Sequence, residues 1–341
     1  MTRFVRSTLA PAAYHGRDKK PPFFEGWYFK VIDATEQHRY AIIPGVFLSR
    51  DADRYHAFIQ VLNGSTGQAT YHTYPTKDFW SADGKFEIDI EKNRFTADRL
   101  MVDIEQPELR LHGELNFIST VPWPVTLRSP GIMGWYAWMP FMQCYHGVVS
   151  LDHEIRGELT VNGQRLDFTN GRGYIEKDWG KSFPSAWIWM QSNNFEKHGT
   201  SITASVAIIP WIRGSFPGFI IGLWHNSVLY RFASYTGARI QQLDITDETV
   251  TWVVEDRRHR LEILATRSQG TMLRAPTTAE MGRRIAETLN ATIEVTLYSL
   301  QKGDKRSIFH GAGRHAGLEV VGDLLRLKDM WVAERRTVRD E

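Results

Sequence analysis

Cysteine occurs once in these 341 residues, at Cys144, so no internal disulfide can hold the fold, and a chain of this length does not need one. A reducing compartment suits such a sequence. Neither sign of charge dominates: 41 Lys and Arg face 39 Asp and Glu, for a formal net charge of +2, and no long block of one sign occurs. That excludes the basic face on which nucleic-acid affinity rests. Long apolar runs are missing too. No stretch approaches the ~18 apolar residues of a membrane span, and the opening "MTRFVRSTLAPAAYHG" lacks the apolar core of ~7 to 15 residues that a secretion signal requires. The expectation is a soluble, cytoplasmic protein.

Familiar catalytic signatures are absent as well. There is no G-x-S-x-G elbow and no phosphate loop, and His153 and Glu154 lack the second His of H-E-x-x-H. "HGAGRHAG" carries Gly311, Gly313 and Gly317, but their spacing departs from the dinucleotide fingerprint and too little chain follows for a βαβ unit. The twelve histidines are scattered, with no pair at ligand spacing on one face. Neither a metal nor a cofactor is expected.

What the sequence has is aromatic residues, 12% of the chain with twelve Trp, more than an aliphatic core requires; a large apolar cavity would absorb the surplus. The length suits about two domains of ~100 to 200 residues each. Short runs rich in β-branched and aromatic residues, broken by Gly, Asn and Asp, recur from Trp27 to Leu327, the pattern of a mainly β chain of sandwiches or barrels. "ELTVNGQRLDF" reads as a hairpin turning at Asn162 and Gly163, and "TWVVEDRRHRLEILATR" as a looser one. One helix is expected at "TTAEMGRRIAETLN", with Thr277 and Glu280 as a capping box and Met281, Ile285 and Leu289 on one face, plugging a barrel end.

The stretch "FFEGWYFK" returns in weaker form. Phe23, Gly26 and Trp27 correspond to Phe183, Ala186 and Trp187. Ile42, Ile43 and Pro44 then correspond to Ile208, Ile209 and Pro210, and Phe58, Ile59 and Leu62 to Phe219, Ile220 and Leu223. Matches kept in order favour two related β units, taken as residues 20–175 and 176–332. Gly26, Trp27 and Tyr28 on a first strand resemble the lipocalins, whose Trp closes one barrel end. On that reading Trp27 and Trp187 both support barrels.

Chemistry is concentrated in "GYIEKDWGKSFPSAWIWMQSNN". If Tyr174 to Asp178 is extended, Tyr174, Glu176 and Asp178 share one face, with Ile175, Lys177 and Trp179 on the other. Burial in an apolar cavity and repulsion between the two carboxyls would raise one pKa towards neutrality, as a general acid requires. The competing reading is a set of surface ion pairs among Glu176, Lys177 and Asp178 at a domain joint. Tyr145 and His146 lie on a strand-like segment that could run alongside. Gln191, Asn193 and Asn194 offer amides to orient a hydroxyl, though turn formation accounts equally well for the asparagines. The loop from Pro122, with Trp123, Met133, Trp135, Trp138, Met139, Phe141 and Met142, suits a lid over an apolar mouth, a shallow membrane contact, or packing between barrels.

"FFEGWYFK", "GYIEKDWGKSFPSAWIWMQ" and "AGLEVVGD" together resemble the tocopherol cyclase family, across roughly Phe23 to Asp323. The resemblance implies two consecutive lipocalin-like antiparallel β-barrels with few short helices. It also implies cofactor-free closure of a prenylated benzoquinol to a chromanol, an isomerisation. The family is distantly similar to carotenoid hydratases, in which the matching loop puts its Tyr on Tyr174 and its acid on Glu176. Both reactions begin by protonating an alkene, so the resemblance implies Glu176 as proton donor, with Tyr174 and His146 orienting or relaying the proton and Asp178 tuning it. Plant cyclases carry Asn at the Asp178 position, where this chain departs from the family's pattern. Glu25, Trp27, Trp135, Trp138, Tyr145, Trp179, Trp187, Trp189, Gln191 and Asn193 complete the expected substrate-binding set. Aromatic faces such as Trp189 would each stabilise a cation by roughly 0.5 to 2 kcal/mol. The expected partner is a hydrophobic isoprenoid or prenylated quinol, with peripheral membrane contact through residues 122–143. A lipocalin-like carrier that catalyses nothing, or an alkene hydratase, would share the same fold.

Overall fold

Between Phe23 and Ile32 alternate side chains, Trp27, Phe29 and Val31, are apolar and enter a common core, so this stretch is a strand with one face buried there. The same alternation repeats along the chain. The computed structural model describes residues 2–300 and 305–340. It divides into two units, Met1–Phe183 with Thr271–Ile285, and Pro184–Gly270 with Ala286–Glu341.

The first unit opens with a short helix, α1 (Arg3–Thr8). Its strands are β1 (Phe23–Ile32), β2 (Arg39–Leu48), β3 (His56–Asn63), β4 (Gln68–Tyr74), β5 (Phe79–Ser81) and β6 (Glu87–Ile90). There follow β7 (Asn93–Thr96), β8 (Arg99–Gln106), β9 (Leu109–Ile118), β10 (Cys144–Val161), β11 (Gln164–Asp167) and β12 (Gly171–Gly180). They form one antiparallel sheet in the order β4-β3-β2-β1-β12-β10-β9-β8-β7-β6-β5, with β11 on β10. β4 and β5 stand at its two ends. Tyr74 of β4 and Ile90 of β6 nevertheless share a core with Trp27, Phe29, Leu115 and Ile175, so the sheet curls around a single interior. The expected hairpin is present: Val161 pairs with Gln164 across Asn162 and Gly163, whose φ angles are 51° and 87°.

The segment Thr271–Ile285 covers the outer face of β1 to β3. Its strand β20 (Thr271–Ala275) lies against β3 and β4. Met281 packs with Phe24, Phe47 and Phe58, burial worth about 1.5 to 3 kcal/mol. Gln60 exchanges two hydrogen bonds with the Arg274 backbone, at 2.8 and 3.3 Å. The expected helix over 277–290 does not form here. Thr277 does accept from the Ala279 and Glu280 amides, as a cap would. The chain then turns into a strand, β21 (Arg283–Ser299). A spacing of four puts Met281, Ile285 and Leu289 on one face of a strand as readily as of a helix, and pairing of β21 to its neighbours decides between them.

The second unit contains β13 (Ala186–Ser192), β14 (Ser201–Trp211), β15 (Gly214–His225), β16 (Val228–Ala233), β17 (Arg239–Ile245), β18 (Thr249–Glu255), β19 (His259–Thr266) and β22 (Arg306–Gly322), besides β21. Their order is β16-β15-β14-β13-β22-β21-β19-β18-β17. A closing helix, α2 (Leu324–Asp340), sets Leu324, Leu327 and Trp331 on the core at helical spacing. Neither helix was expected from the sequence. Among the described residues no helix is long and apolar enough to cross a membrane.

The two orders match over nine strands, with β1 to β4 in the places of β13 to β16 and β12, β10, β9, β8 and β7 in those of β22, β21, β19, β18 and β17; β6 and β5 have no counterpart among the described residues. The internal repeat is therefore a repeat of topology. Its residue matches slip by one in two places. Trp27 enters the first core, but in β13 it is Ile188 and Met190 that enter the second, leaving Trp187 on the opposite face. Likewise Ile59 is core in β3, whereas Phe219 and Ile221 are core in β15. A shift of one residue exchanges the faces of a strand, so Trp187 does not support the barrel as Trp27 does. The division between units also falls after Phe183 and not at 175/176, because β12 continues unbroken through that point.

Candidate active site

β12 lies between β1 and β10, and its register assigns every side chain to a face. Across from Tyr174, Glu176 and Asp178 stand Lys30, Tyr28 and Gly26 of β1, while His146 of β10 faces Asp178 and Val148 faces Glu176. This is the side of the sheet opposite the core of Trp27, Phe29 and Ile175. Tyr174, Glu176 and Lys30 are buried all the same. The Tyr174 hydroxyl donates to Glu176 Oε2. His146 Nδ1 lies 2.9 Å from Asp178 Oδ1, and His146 Nε2 lies 3.5 Å from Glu176 Oε2. The four residues expected to act together are thus assembled, not dispersed as surface ion pairs.

Burial alone would lower the His146 pKa, but the Glu176 and Asp178 carboxylates outweigh it and raise the value to about 9. The cluster therefore holds a proton on His146 at neutral pH. Repulsion between two carboxyls was expected to retain it on Glu176. The imidazole between them relieves that repulsion, so the proton belongs to the coupled group.

The opposite face of β12 answers why "FFEGWYFK" contains a carboxylate. Glu25 is 0% exposed and ion-paired to Lys177, also 0% exposed. Lys177 Nζ donates to the Ala13 carbonyl at 2.6 Å and sits 4.6 Å from the ring centroids of both Trp27 and Trp179. The His15 amide donates to Glu25 Oε2 at 2.8 Å. Burial lowers the Lys177 pKa to about 8, with Glu25 opposing that shift. Despite burial, Lys177 and His15 hold the Glu25 carboxyl below its ordinary range. Trp27 stacks on Phe86 at 5.3 Å, and Trp179 stacks between His15 and Tyr145 at 4.3 and 5.4 Å. Glu25, Trp27, Tyr145 and Trp179 therefore lie on the face away from Glu176.

A family model described as tocopherol cyclase-like matches residues 114–322, more than half the chain, and the match includes β10 and β12. The chain belongs to the tocopherol cyclase-like family. It is 24% identical to a probable chloroplastic tocopherol cyclase of Oryza sativa subsp. japonica, over 91% of this chain and 78% of that one. It is also 24% identical to a chloroplastic tocopherol cyclase of Zea mays, over 80% of this chain and 68% of that one. Among solved structures, CghA shares the fold with a TM-score of 0.54 at 13% identity, covering 90% of each chain. Kievitone hydratase from Nectria haematococca does so with a TM-score of 0.50 at 12% identity, over 91% of this chain and 94% of that one. The fold held in common is the two-barrel, lipocalin-like one.

Within this cyclase-like chain the remaining expected residues fall elsewhere. Trp187, Trp189, Gln191 and Asn193 lie on β13 and just beyond it in the second unit, all buried. The Trp187 indole donates to Glu319 Oε2 at 2.5 Å, and Gln191 Nε2 donates to Asn193 Oδ1 at 3.4 Å. Trp135 and Trp138 lie in a 3-10 turn, with Trp135 exposed. Sequence reasoning passed over Lys30 and Tyr28, although both stand in "FFEGWYFK", because only the β1–β12 register reveals that they share the Glu176 face. Ligating atoms of His146, Glu176 and Asp178 lie within 4.8 Å of one another, close enough to surround a cation. No sequence spacing signalled this triad, since it spans two strands. In the arrangement observed His146 Nδ1 is hydrogen-bonded to Asp178 and the Tyr174 hydroxyl to Glu176, while His146 Nε2 meets Glu176 only as an ionic contact at 3.5 Å.

Proposed function

We propose that this chain is a cofactor-independent cyclase that closes a prenylated benzoquinol, or a related isoprenoid phenol, to a chromanol-type ring. The observation that supports it most is the buried network of Tyr174, Glu176, His146 and Asp178 on the central strands of the first unit. The proton held on His146 passes to Glu176, which delivers it to the less substituted alkene carbon of the prenyl chain. The π electrons form the new C–H bond and leave a tertiary cation, which the phenol oxygen captures. The phenol proton returns to the network, so atoms and charge balance and the product is an isomer of the substrate. His146, protonated at neutral pH, resupplies Glu176; Tyr174 orients that carboxyl; Asp178 orients the imidazole. The single free cysteine agrees with work in a reducing compartment such as the cytoplasm.

The test is direct. Purified protein is incubated with a reduced prenylated benzoquinol and chromanol formation is followed, with substrate binding read in parallel by Trp fluorescence. Glu176→Gln should lower turnover by ~10² to 10⁴-fold while binding persists. A chelator should leave the native rate unchanged. Native protein that binds the quinol and returns it intact would be a carrier, and the cyclase reading would fail for that substrate.

A further inference from the structure

Residues 1–17 and 115–151 contain no Asp or Glu, while Arg3, Arg6 and Arg128 are exposed. The two segments meet within the first unit. Phe4 of α1 packs against Trp138 with ring centroids 6.0 Å apart, and the Trp138 indole donates to the Leu127 carbonyl at 3.0 Å. Leu127 sits in the turn between Thr126 and Ser129, closed by a bridge between Val125 and Pro130. Trp135 precedes Trp138 by one 3-10 turn, so the two indoles project on the same side. Exposure is high for apolar side chains: 68% for Leu127, 49% for Phe4, and 41% each for Val125 and Trp135. Single exposed apolar residues need no explanation, but a contiguous group does.

We propose that α1 and the 122–143 loop form a docking surface for an anionic lipid bilayer, setting Leu127, Phe4 and Trp135 at headgroup level. Three features select lipid over a protein partner. The apolar tip is a turn whose Leu127 stands 68% exposed, and a protruding side chain enters a deformable interface without needing a matching cavity. Tryptophan favours the boundary between headgroup and acyl chain. All the formal charge carried by the two segments is positive, complementary to anionic headgroups. The inference stands apart from the proposed reaction, because lipid binding is measured without turnover.

The experiment is co-sedimentation of the full chain with vesicles of phosphatidylcholine alone and of phosphatidylcholine mixed with phosphatidylglycerol. Native protein should pellet with the mixed vesicles and be released by salt. Leu127→Ser should weaken partitioning about tenfold, and Arg128→Gln on the order of fivefold on anionic vesicles alone. Ile212→Ser, which alters a side chain 78% exposed on the second unit, should change nothing. The proposal is overturned if native protein stays in the supernatant, or if Leu127→Ser pellets as native does. It is also overturned if Ile212→Ser weakens binding equally, or if Leu127→Ser instead abolishes a concentration-dependent dimer in lipid-free buffer.

Discussion

Replacing His146 by Gln should remove one component of the pH dependence of stability, and its size follows from the site. Burial disfavours the imidazolium, but Glu176 and Asp178 raise the pKa from 6.5 to about 9. That difference corresponds to about 3 kcal/mol of preference for the charged ring in the folded state, trimmed somewhat by solvent at a side chain 14% exposed. An unfolded chain releases this proton near 6.5, so the stabilisation is complete below that pH and is lost as pH rises through about 9. Lys177 acts in the opposite sense over an overlapping range. Its pKa is lowered from 10.5 to about 8, so stability increases as pH rises from about 8 to 10.5. A single denaturation curve mixes the two, and the difference between native protein and His146→Gln separates them. Urea unfolding through this range should show that difference shrinking by ~2 to 3 kcal/mol between pH ~6 and ~10. Histidine resonances followed by NMR would give the titration directly. A His146 ring that titrates at or below 6.5, or a difference flat with pH, would refute the electrostatic account.

Two further predictions concern packing. Glu25→Gln leaves Lys177 buried without its counter-charge and should lower stability by about 3 to 5 kcal/mol, whereas Glu25→Gln combined with Lys177→Met should recover most of it; additive losses in chemical denaturation would rule the pairing out. Gly45→Ala would place a Cβ 2.5 Å from the Phe58 ring and 2.6 Å from the Glu25 carbonyl oxygen. The resulting strain should cost about 1 to 3 kcal/mol, and an unchanged melting temperature would count against it.

Fold class and site face were legible in the sequence because both rest on the period of two. Tyr174, Glu176 and Asp178 alternate with Ile175, Lys177 and Trp179, and the strand separates them as that alternation requires. His146 could be matched to them only through a strand 32 residues away in sequence, which no local pattern encodes. The aromatic repeat was visible but its register was not, since Trp occurs on the core face at Trp27 and on the opposite face at Trp187. Met281, Ile285 and Leu289 misled for the reason given above, that a four-residue spacing fits either period. In α2 the spacing of Leu324, Leu327 and Trp331 was helical and present, yet the β-type pattern was followed as far as Leu327.

The two faces of β12 also explain each other. A slip of one residue against β1 would move Glu176 in among Trp27 and Phe29, where no cation awaits it, and would leave Glu25 facing no lysine. Each uncompensated buried charge costs several kcal/mol, so the slipped register is excluded even though a buried ion pair adds little net stability. Glu25 and Lys177, tied further to Ala13 and His15, thus fix the β1–β12 register that sets Glu176 across from Tyr28 on the face that carries His146 and Tyr174. The combined Glu25→Gln and Lys177→Met variant is the decisive case for this hypothesis. It should fold, but with the constraint removed His146 should lose its raised pKa in part of the population, and turnover should fall although no residue of the proton network has changed. A single His146 titration near 9 in that variant, with native turnover, would show that apolar packing alone holds β12 in place.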